Sequence, residues 1–291
     1  MSKLINALTQ SERLNFLLSN RIPRKLLTQL MGRYSSIENR FLTRLSIKVW
    51  RLFAADLDLS ESKKTSFNSL QGCFIRELKD GLRPVDTAVD IVTSPCDAII
   101  GAFGTIQQGV VYQAKGFPYD LEELLLDSEL AQRLYNGCYV TLRLKSSMYH
   151  RFHAPIDCDV SKVNYISGDT WNVNPIALKR IEKLYCKNER AIVELKTRRA
   201  EHTVVLVPVA AILVASMKFH CLDETLDLTY NGANQLNCSA SYKKGEEMGY
   251  FQHGSTIILL ASSQYQLCEF IKAGQRINMG EALLRRTESG S

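Results

Sequence analysis

A glycine–serine bond near the C-terminus is the feature of this 291-residue chain that most directly suggests chemistry. His253, Gly254, Ser255 and Thr256 stand directly before an apolar run, 257–260, that is typical of a buried strand. At such a bond the serine hydroxyl can attack the glycine carbonyl and convert the amide into an ester. Loss of the serine α-proton then leaves dehydroalanine, and hydrolysis with loss of ammonia leaves a pyruvoyl ketone, an electrophile able to do Schiff-base chemistry.

This chemistry needs a base, because a serine hydroxyl is a weak nucleophile on its own. His150 and His153 lie three residues apart, and Asp97 lies in a turn between apolar runs. A histidine oriented by a carboxylate can take the hydroxyl proton and later the α-proton. From the residues alone, Asp97, His153 and Ser255 are compatible with a serine hydrolase triad or with a self-cleaving pyruvoyl site. A structural turn and structural histidines are the alternative interpretation of these segments.

Metal and redox sites find little support in the sequence. The eight cysteines form no C-x-x-C pair, and the histidine pair lacks neighbouring ligands, so we predict no metal. The N-terminus lacks the apolar core of a secretory signal, which favours free thiols in a reducing compartment. The longest apolar stretch, 204–217, is shorter than the roughly 20 residues that span a bilayer.

Positive charge is concentrated in the first 51 residues, which carry ten Lys or Arg and two Glu. Their net charge is +8, and the whole chain is +6, so the remainder is −2. We therefore expect no nucleic-acid partner for the body. Over 37–53, apolar residues and cations recur at helical spacing on neighbouring stripes. This pattern is typical of a helix lying on an anionic membrane, and equally of a surface helix packed on its own domain.

The remaining patterns predict a mostly β body after the helical N-terminus. A polar, loop-like stretch spans 56–65, and short helices are predicted over 67–78 and 121–135. Strands, with turns between them, are predicted over 90–106, 139–144, 160–166, 191–195, 203–206 and 210–217, and a turn over 245–249. The predicted division is a basic amphipathic membrane-association region, 1–64, and a β-rich domain, 65–291.

Several ordered motifs together resemble the phosphatidylserine decarboxylases, especially the bacterial membrane-associated type. The three reactive segments read Pro95-Cys96-Asp97-Ala98, Tyr149-His150-Arg151-Phe152-His153 and Gly254-Ser255-Thr256. Further matches are Phe74-Ile75-Arg76-Glu77-Leu78-Lys79, Arg83-Pro84-Val85-Asp86, Ala114-Lys115-Gly116, Val173-Asn174, Asn188-Glu189-Arg190 and Lys244-Gly245-Glu246-Glu247-Met248-Gly249. The resemblance covers nearly the whole chain, and the order of the motifs is more specific than any one of them.

The resemblance implies a role for each reactive residue. Asp97, His153 and Ser255 would form the self-processing triad, with Asp97 orienting His153 and His153 activating Ser255. Cleavage at Gly254-Ser255 would give a β chain, 1–254, and an α chain, 255–291, whose covalent pyruvoyl cofactor derives from Ser255. That group would form a Schiff base with phosphatidylserine, release carbon dioxide and give phosphatidylethanolamine. His150 would act in decarboxylation or substrate handling.

The resemblance also implies a setting for the protein. We expect an α+β fold with a β-rich, sandwich-like body, bound peripherally to the cytoplasmic side of a bacterial inner membrane. The partners would be phosphatidylserine in an anionic membrane and the chain's own two fragments, with a homodimer of that unit possible. Two departures, His253 before the cleavage site and Ala98 after Asp97, leave a non-processing membrane scaffold as an alternative, beside the serine hydrolase. The latter is weakened because the G-x-S-x-G pattern is absent.

Overall fold

The fold is described from a computed structural model covering residues 16, 22–114, 117–197, 202–213, 216–252 and 255–287. Its helices within these ranges are α1 (Arg24–Ser35), α2 (Arg40–Phe53), α3 (Leu70–Phe74), α4 (Leu121–Leu125), α5 (Ser128–Arg133), α6 (Pro175–Leu178) and α7 (Leu184–Lys187). The predicted helix over 37–53 is found from residue 40, because the Asn39 side chain caps it by accepting from the backbone of Phe41 and Leu42.

The strands within the same ranges carry most of the body. They are β1 (Ile91–Thr93), β2 (Ala98–Thr105), β3 (Val110–Ala114), β4 (Phe117–Asp120), β5 (Cys138–Leu144), β6 (Arg151–His153), β7 (Cys158–Ile166), β8 (Arg190–Lys196), β9 (Thr203–Ala210), β10 (Ser216–Phe219), β11 (Thr225–Asp227), β12 (Gln235–Tyr242), β13 (Glu247–Phe251), β14 (Ser255–Ala261), β15 (Tyr265–Leu267), β16 (Arg276–Ile277) and β17 (Ala282–Arg286). This confirms the predicted β-rich α+β class.

One eight-stranded antiparallel sheet organises the body, in the order β12-β7-β8-β9-β14-β5-β2-β16. Smaller sheets, β11-β10-β13-β6 and β1-β17-β15, contribute to the hydrophobic cluster on one of its faces. Short helices α4 to α7 contribute to the cluster on the other face. Both faces are therefore buried, which explains why β14 is a continuous apolar run rather than an alternating one.

Three predictions from the sequence need correction. The helix over 67–78 is only the five residues of α3. The helix over 121–135 is two helices, because Leu126 is left-handed (φ 51°) and Asp127 caps α5. The strand over 210–217 is wrong, since Ala210 ends β9 and Ser216 begins β10 in another sheet. By contrast, β9 continues past the predicted 203–206 to residue 210.

Helices α1 and α2 are attached to the body by specific contacts. Arg24 forms an ion pair with Asp169 at 2.6 Å and its guanidinium lies 3.5 Å from the centre of the Trp171 ring. In α2, Trp50 stacks on Phe74 of α3 with ring centroids 5.4 Å apart. None of the helices in the described ranges is long and apolar enough to cross a membrane.

Candidate active site

Ser255 is the first residue of β14 and lies in the interior of the large sheet. It pairs with Leu144 of β5 on one side and with Ala210 of β9 on the other. The residue is fully buried, and its Oγ has no hydrogen-bond partner among the described residues. A buried hydroxyl without a partner is costly in a folded protein, which makes this atom a candidate for chemistry. His253 and Gly254 lie outside the described residues.

Asp97 is buried in the turn between β1 and β2 and is bound by an arginine. Arg83 donates to both carboxylate oxygens, at 2.9 Å from Nε and 2.7 Å from Nη2, and also pairs with Glu61. The backbone N–H of Met279 donates a further hydrogen bond to Asp97 at 2.9 Å. These donors fix the carboxylate in place.

His153 ends β6 and is held at both ring nitrogens. Nδ1 lies 2.9 Å from the carbonyl oxygen of Gly245, and Nε2 lies 2.9 Å from the hydroxyl of Tyr149. Burial lowers the pKa of His153 below its ordinary value, although the Gly245 carbonyl and the negative charges of Glu247 and Asp97 oppose this shift. The ring is therefore neutral at pH 7 and keeps the lone pair that a general base requires.

His150 is fully buried in the connection between β5 and β6. Its Nδ1 lies 2.8 Å from the carbonyl oxygen of Met148, which can only accept, so Nδ1 carries a proton. The ring centre lies 4.2 Å from that of Phe74, which in turn stacks on Trp50. His150 is thus connected through two aromatic rings to the N-terminal helices.

The structure brings some of the predicted site residues together and leaves others apart. The backbone N–H of His153 donates to the carbonyl of Pro95 at 2.8 Å, which joins β6 to the turn that carries Asp97. Within the described residues, however, no hydrogen bond links Asp97 to His153, or either of them to Ser255. The orienting role of Asp97 and the activation of Ser255 by His153 therefore stay predictions.

A cavity of about 880 Å³ reaches Ser255 from the side of the N-terminal helices. One wall is apolar and comes largely from α2 and α3, with Leu45, Val49, Trp50, Phe53, Leu70 and Phe74. The other wall comes from the body and is mixed, with apolar Leu144, Val173, Ala211, Ile212 and Leu213 beside polar Arg143, Lys145, Ser146, Asn172 and Asn174. A cavity with an apolar wall and a wall that carries polar and charged groups suits an amphiphilic ligand.

His153 borders a different and smaller cavity of about 280 Å³. Its lining includes Arg83, Tyr149, Arg151 and Glu247, so it is strongly polar. Sequence reasoning assigned no role to Arg83 or Tyr149, although both stand in the quoted motifs, beside Pro84 and His150. Their presence in those motifs was the signal that could have marked them as neighbours of the site.

Comparison with known proteins bears directly on this arrangement. The family model for phosphatidylserine decarboxylase matches residues 70–285, from the first residue of α3 to within β17. The chain belongs to the phosphatidylserine decarboxylase family. The match covers every one of Asp97, His150, His153 and Ser255, whereas α1 and α2 precede it.

Individual relatives in the phosphatidylserine decarboxylase family match over most of their length. Three are called phosphatidylserine decarboxylase proenzyme. That of Aliivibrio salmonicida is 34% identical over 269 residues, covering 89% of this chain and 93% of the relative. That of Photobacterium profundum is 33% identical over 270 residues (89% and 92%), and that of Brevibacillus brevis is 30% identical over 271 residues (91% and 95%).

Proposed function

We propose that this protein is a self-cleaving phosphatidylserine decarboxylase that converts phosphatidylserine into phosphatidylethanolamine and carbon dioxide. The observation that carries the proposal is Ser255, whose buried Oγ has no hydrogen-bond partner among the described residues and which lines a large amphiphilic cavity. The relatives' names, which include the word proenzyme, support processing of the chain. Cleavage at Gly254-Ser255 gives a β chain, 1–254, and an α chain, 255–291.

The proposed cleavage uses His153 as the base and Asp97 as a fixed negative charge. His153 takes the proton from Ser255 Oγ as the hydroxyl attacks the Gly254 carbonyl, and an ester replaces the amide. Removal of the Ser255 α-proton then expels the Gly254 carboxylate, and water replaces nitrogen as ammonia leaves. Burial favours this role because it lowers the pKa of His153 and keeps the ring neutral.

The pyruvoyl ketone derived from Ser255 would supply an electrophile that takes the lipid amine and accepts the electrons released with carbon dioxide. The described residues fit this group, since Ser255 is enclosed in the sheet and adjoins the cavity. His150 would act on the lipid, holding or returning a proton through Nε2. After cleavage, the pairing of β14 with β5 and β9 keeps the α chain bound to the β chain, and we propose that two such units can form a homodimer.

The N-terminal helices would hold this site against a membrane. Apolar side chains of α1 and α2 are exposed, among them Leu26, Leu30, Phe41, Leu45, Leu52 and Phe53. Cations accompany them on the same helices, at positions 33, 40, 44, 48 and 51. Such a surface binds anionic headgroups and buries its apolar side chains at the interface. We propose peripheral attachment to the cytoplasmic side of a bacterial inner membrane.

The proposal is tested by the intact mass of the purified protein. We expect two fragments divided between residues 254 and 255, an α chain that reacts with a hydrazine reagent for ketones, and carbon dioxide release from phosphatidylserine. Ser255→Ala should abolish all three, His153→Ala should block cleavage, and Ser239→Ala, an exposed serine on β12, should change none of them.

The same measurements separate the alternatives. An active enzyme that consists only of the uncut chain would contradict the proposal. Esterase activity together with labelling of an uncut Ser255 by a fluorophosphonate would instead indicate the serine hydrolase. A chain that never cleaves and has no activity would indicate the membrane scaffold.

A further inference from the structure

Arg143 is a cation in the cavity wall for which the described part of the chain offers no acidic partner. It is the second-last residue of β5 and is only partly exposed. Within the described residues, its guanidinium forms no hydrogen bond and no ion pair. Lys145 stands two residues further along the same wall and is paired with Asp56. Lys145 is therefore compensated by a carboxylate of the chain, whereas Arg143 is available to bind a ligand.

An arginine in this position favours an anion. Burial lowers the pKa of Arg143, but a guanidinium still keeps its charge at neutral pH. A partly desolvated charge without a counter-charge is unfavourable in a folded protein. An incoming anion removes this penalty, and oxygens of a phosphate or carboxylate match the paired N–H groups of a guanidinium.

The sheet places Arg143 close to the reactive position without placing it on the reacting atom. Arg143 pairs with Thr256, and Ser255 pairs with the next residue of β5, Leu144. Directly paired residues share a face and neighbouring residues of a strand point to opposite faces, so the side chains of Arg143 and Ser255 lie on opposite faces of the sheet. Both residues nevertheless line the same cavity. In a phosphoserine headgroup, four covalent bonds of about 1.5 Å each separate the amine nitrogen from phosphorus, so an amine held at Ser255 leaves the phosphate in the cavity that Arg143 also lines.

We propose that Arg143 binds the phosphodiester of the lipid and positions the serine headgroup at Ser255, an inference that rests on the proposed decarboxylase function. The carboxylate of the same headgroup is the less suitable ligand. Its charge disappears as carbon dioxide leaves, so an arginine bound to it would stabilise the ground state more than the transition state and slow the reaction. The phosphodiester keeps its charge throughout, so binding it costs the chemical step nothing.

The first test compares substrates with and without a phosphate. We expect Arg143→Gln to raise KM for dihexanoyl phosphatidylserine about 10- to 100-fold, the size of one lost charged hydrogen-bond pair, with a smaller effect on kcat. Decarboxylation of an O-alkyl serine ether, which has the carboxylate and amine but no phosphate, should be unchanged. Arg143→Lys should raise this KM by an intermediate amount, since lysine keeps the positive charge but lacks the paired N–H groups of the guanidinium. Arg276→Gln, on the edge strand β16, is the matched control.

A second measurement does not depend on processing. Binding of dihexanoyl phosphatidylserine, dihexanoylglycerol and inorganic phosphate is measured on the uncleaved Ser255→Ala chain, with and without Arg143→Gln. We expect the added substitution to weaken binding of the phospholipid about 10- to 100-fold and to leave dihexanoylglycerol unaffected. Inorganic phosphate alone should show little dependence on Arg143, because it lacks the acyl chains that the cavity holds.

Each contrary result overturns a defined part of the inference. Equal losses for phosphatidylserine and the O-alkyl serine ether would overturn the assignment to the phosphodiester, and so would unchanged phospholipid binding. Strong Arg143-dependent binding of inorganic phosphate would assign the site to free phosphate instead. A wild-type chain that neither cleaves nor decarboxylates would contradict the proposed function, while the binding measurement would still decide the role of Arg143.

Discussion

The hydroxyl of Tyr149 lies 2.9 Å from Nε2 of His153, while Nδ1 of the same ring lies 2.9 Å from the carbonyl of Gly245. Because a carbonyl can only accept, Nδ1 carries the proton and Tyr149 donates to Nε2. The Nε2 lone pair that would take a proton from Ser255 therefore already accepts a hydrogen bond from the phenol of Tyr149. By donating to Nε2, Tyr149 favours the neutral ring. When His153 acts as a base, the Tyr149 hydroxyl must either leave Nε2 or relay the proton to it.

Replacing Tyr149 by Phe should move the pH dependence of self-cleavage. A donor to Nε2 stabilises the neutral form of His153, so its loss should raise the pKa of the ring. Cleavage requires the neutral ring, and the acidic limb of the rate profile should shift to higher pH. Rates of chain cleavage measured after synthesis at pH 5 to 8 check this, with Tyr112→Phe, an exposed tyrosine, as the control. An unmoved limb would mean that Nε2 is not the base.

Removing Arg83 should destabilise the fold by about 3 to 5 kcal/mol. The Arg83→Met substitution leaves the buried Asp97 carboxylate with the Met279 N–H as its only donor within the described residues, and an uncompensated buried charge is costly. Denaturant unfolding of the uncleaved Ser255→Ala chain measures the effect. The Arg83→Met/Asp97→Asn pair removes both charges and should recover most of the loss. A double variant as unstable as the sum of the two single variants would contradict this coupling.

Glu189 is a buried carboxyl group that favours its protonated form. Its Oε1 is hydrogen-bonded to the hydroxyl of Tyr165, which also lies 3.0 Å from the carbonyl oxygen of Asp227. The Tyr165 hydroxyl donates to Glu189 Oε1, which by itself favours the charged carboxylate, but burial of the carboxyl group outweighs this effect. Burial raises the pKa of Glu189 from 4.5 to about 7.

This raised pKa predicts that the protein loses stability as pH rises. The folded state holds the Glu189 proton between its unfolded pKa near 4.5 and its folded pKa of about 7, so the contribution is complete below 4.5 and is lost as pH rises through 7. The free energy of unfolding should fall by roughly 3 kcal/mol over this pH range, and Glu189→Gln should abolish this pH dependence. Unfolding of the uncleaved Ser255→Ala chain from pH 4 to 9 measures the difference between chains with Glu189 and Gln. The exposed Glu224→Gln should leave the pH dependence as it was, and a Glu189→Gln chain with undiminished pH dependence would contradict the assignment.

Exposed phenylalanines of α2 should determine binding to membranes. Phe41 and Phe53 are 79% and 67% exposed, and each would bury its ring in a lipid interface. Phe41→Ser and Phe53→Ser should each weaken sedimentation with anionic vesicles about tenfold. Phe270→Ser is the matched control, since that ring is 53% exposed on the body. Equal losses for all three would show that exposure in general, rather than α2, governs binding.

Sequence patterns predicted the elements that carry their own periodicity. The strand over 139–144 and the helix over 37–53 were found nearly at the predicted bounds, because side chains recur at a regular strand or helix spacing along each of them. The helix over 121–135 was predicted as continuous although Leu126 interrupts it, since apolar spacing alone does not reveal a left-handed residue. The strand over 210–217 failed because an unbroken apolar run can belong to two sheets that share one core.

The sequence by itself determined the family and predicted the candidate reactive residues, because both depend only on residue types, their spacing and the order of the motifs. The tertiary structure decided the partner of each residue: Arg83 for Asp97, Tyr149 for His153, and a cavity for Arg143. These contacts join separate elements across turns and neighbouring strands, and local periodicity carries no information about which side chains meet there. Hydrogen-bond partners and cavity walls are properties of the packed chain, so only the packed chain could assign them.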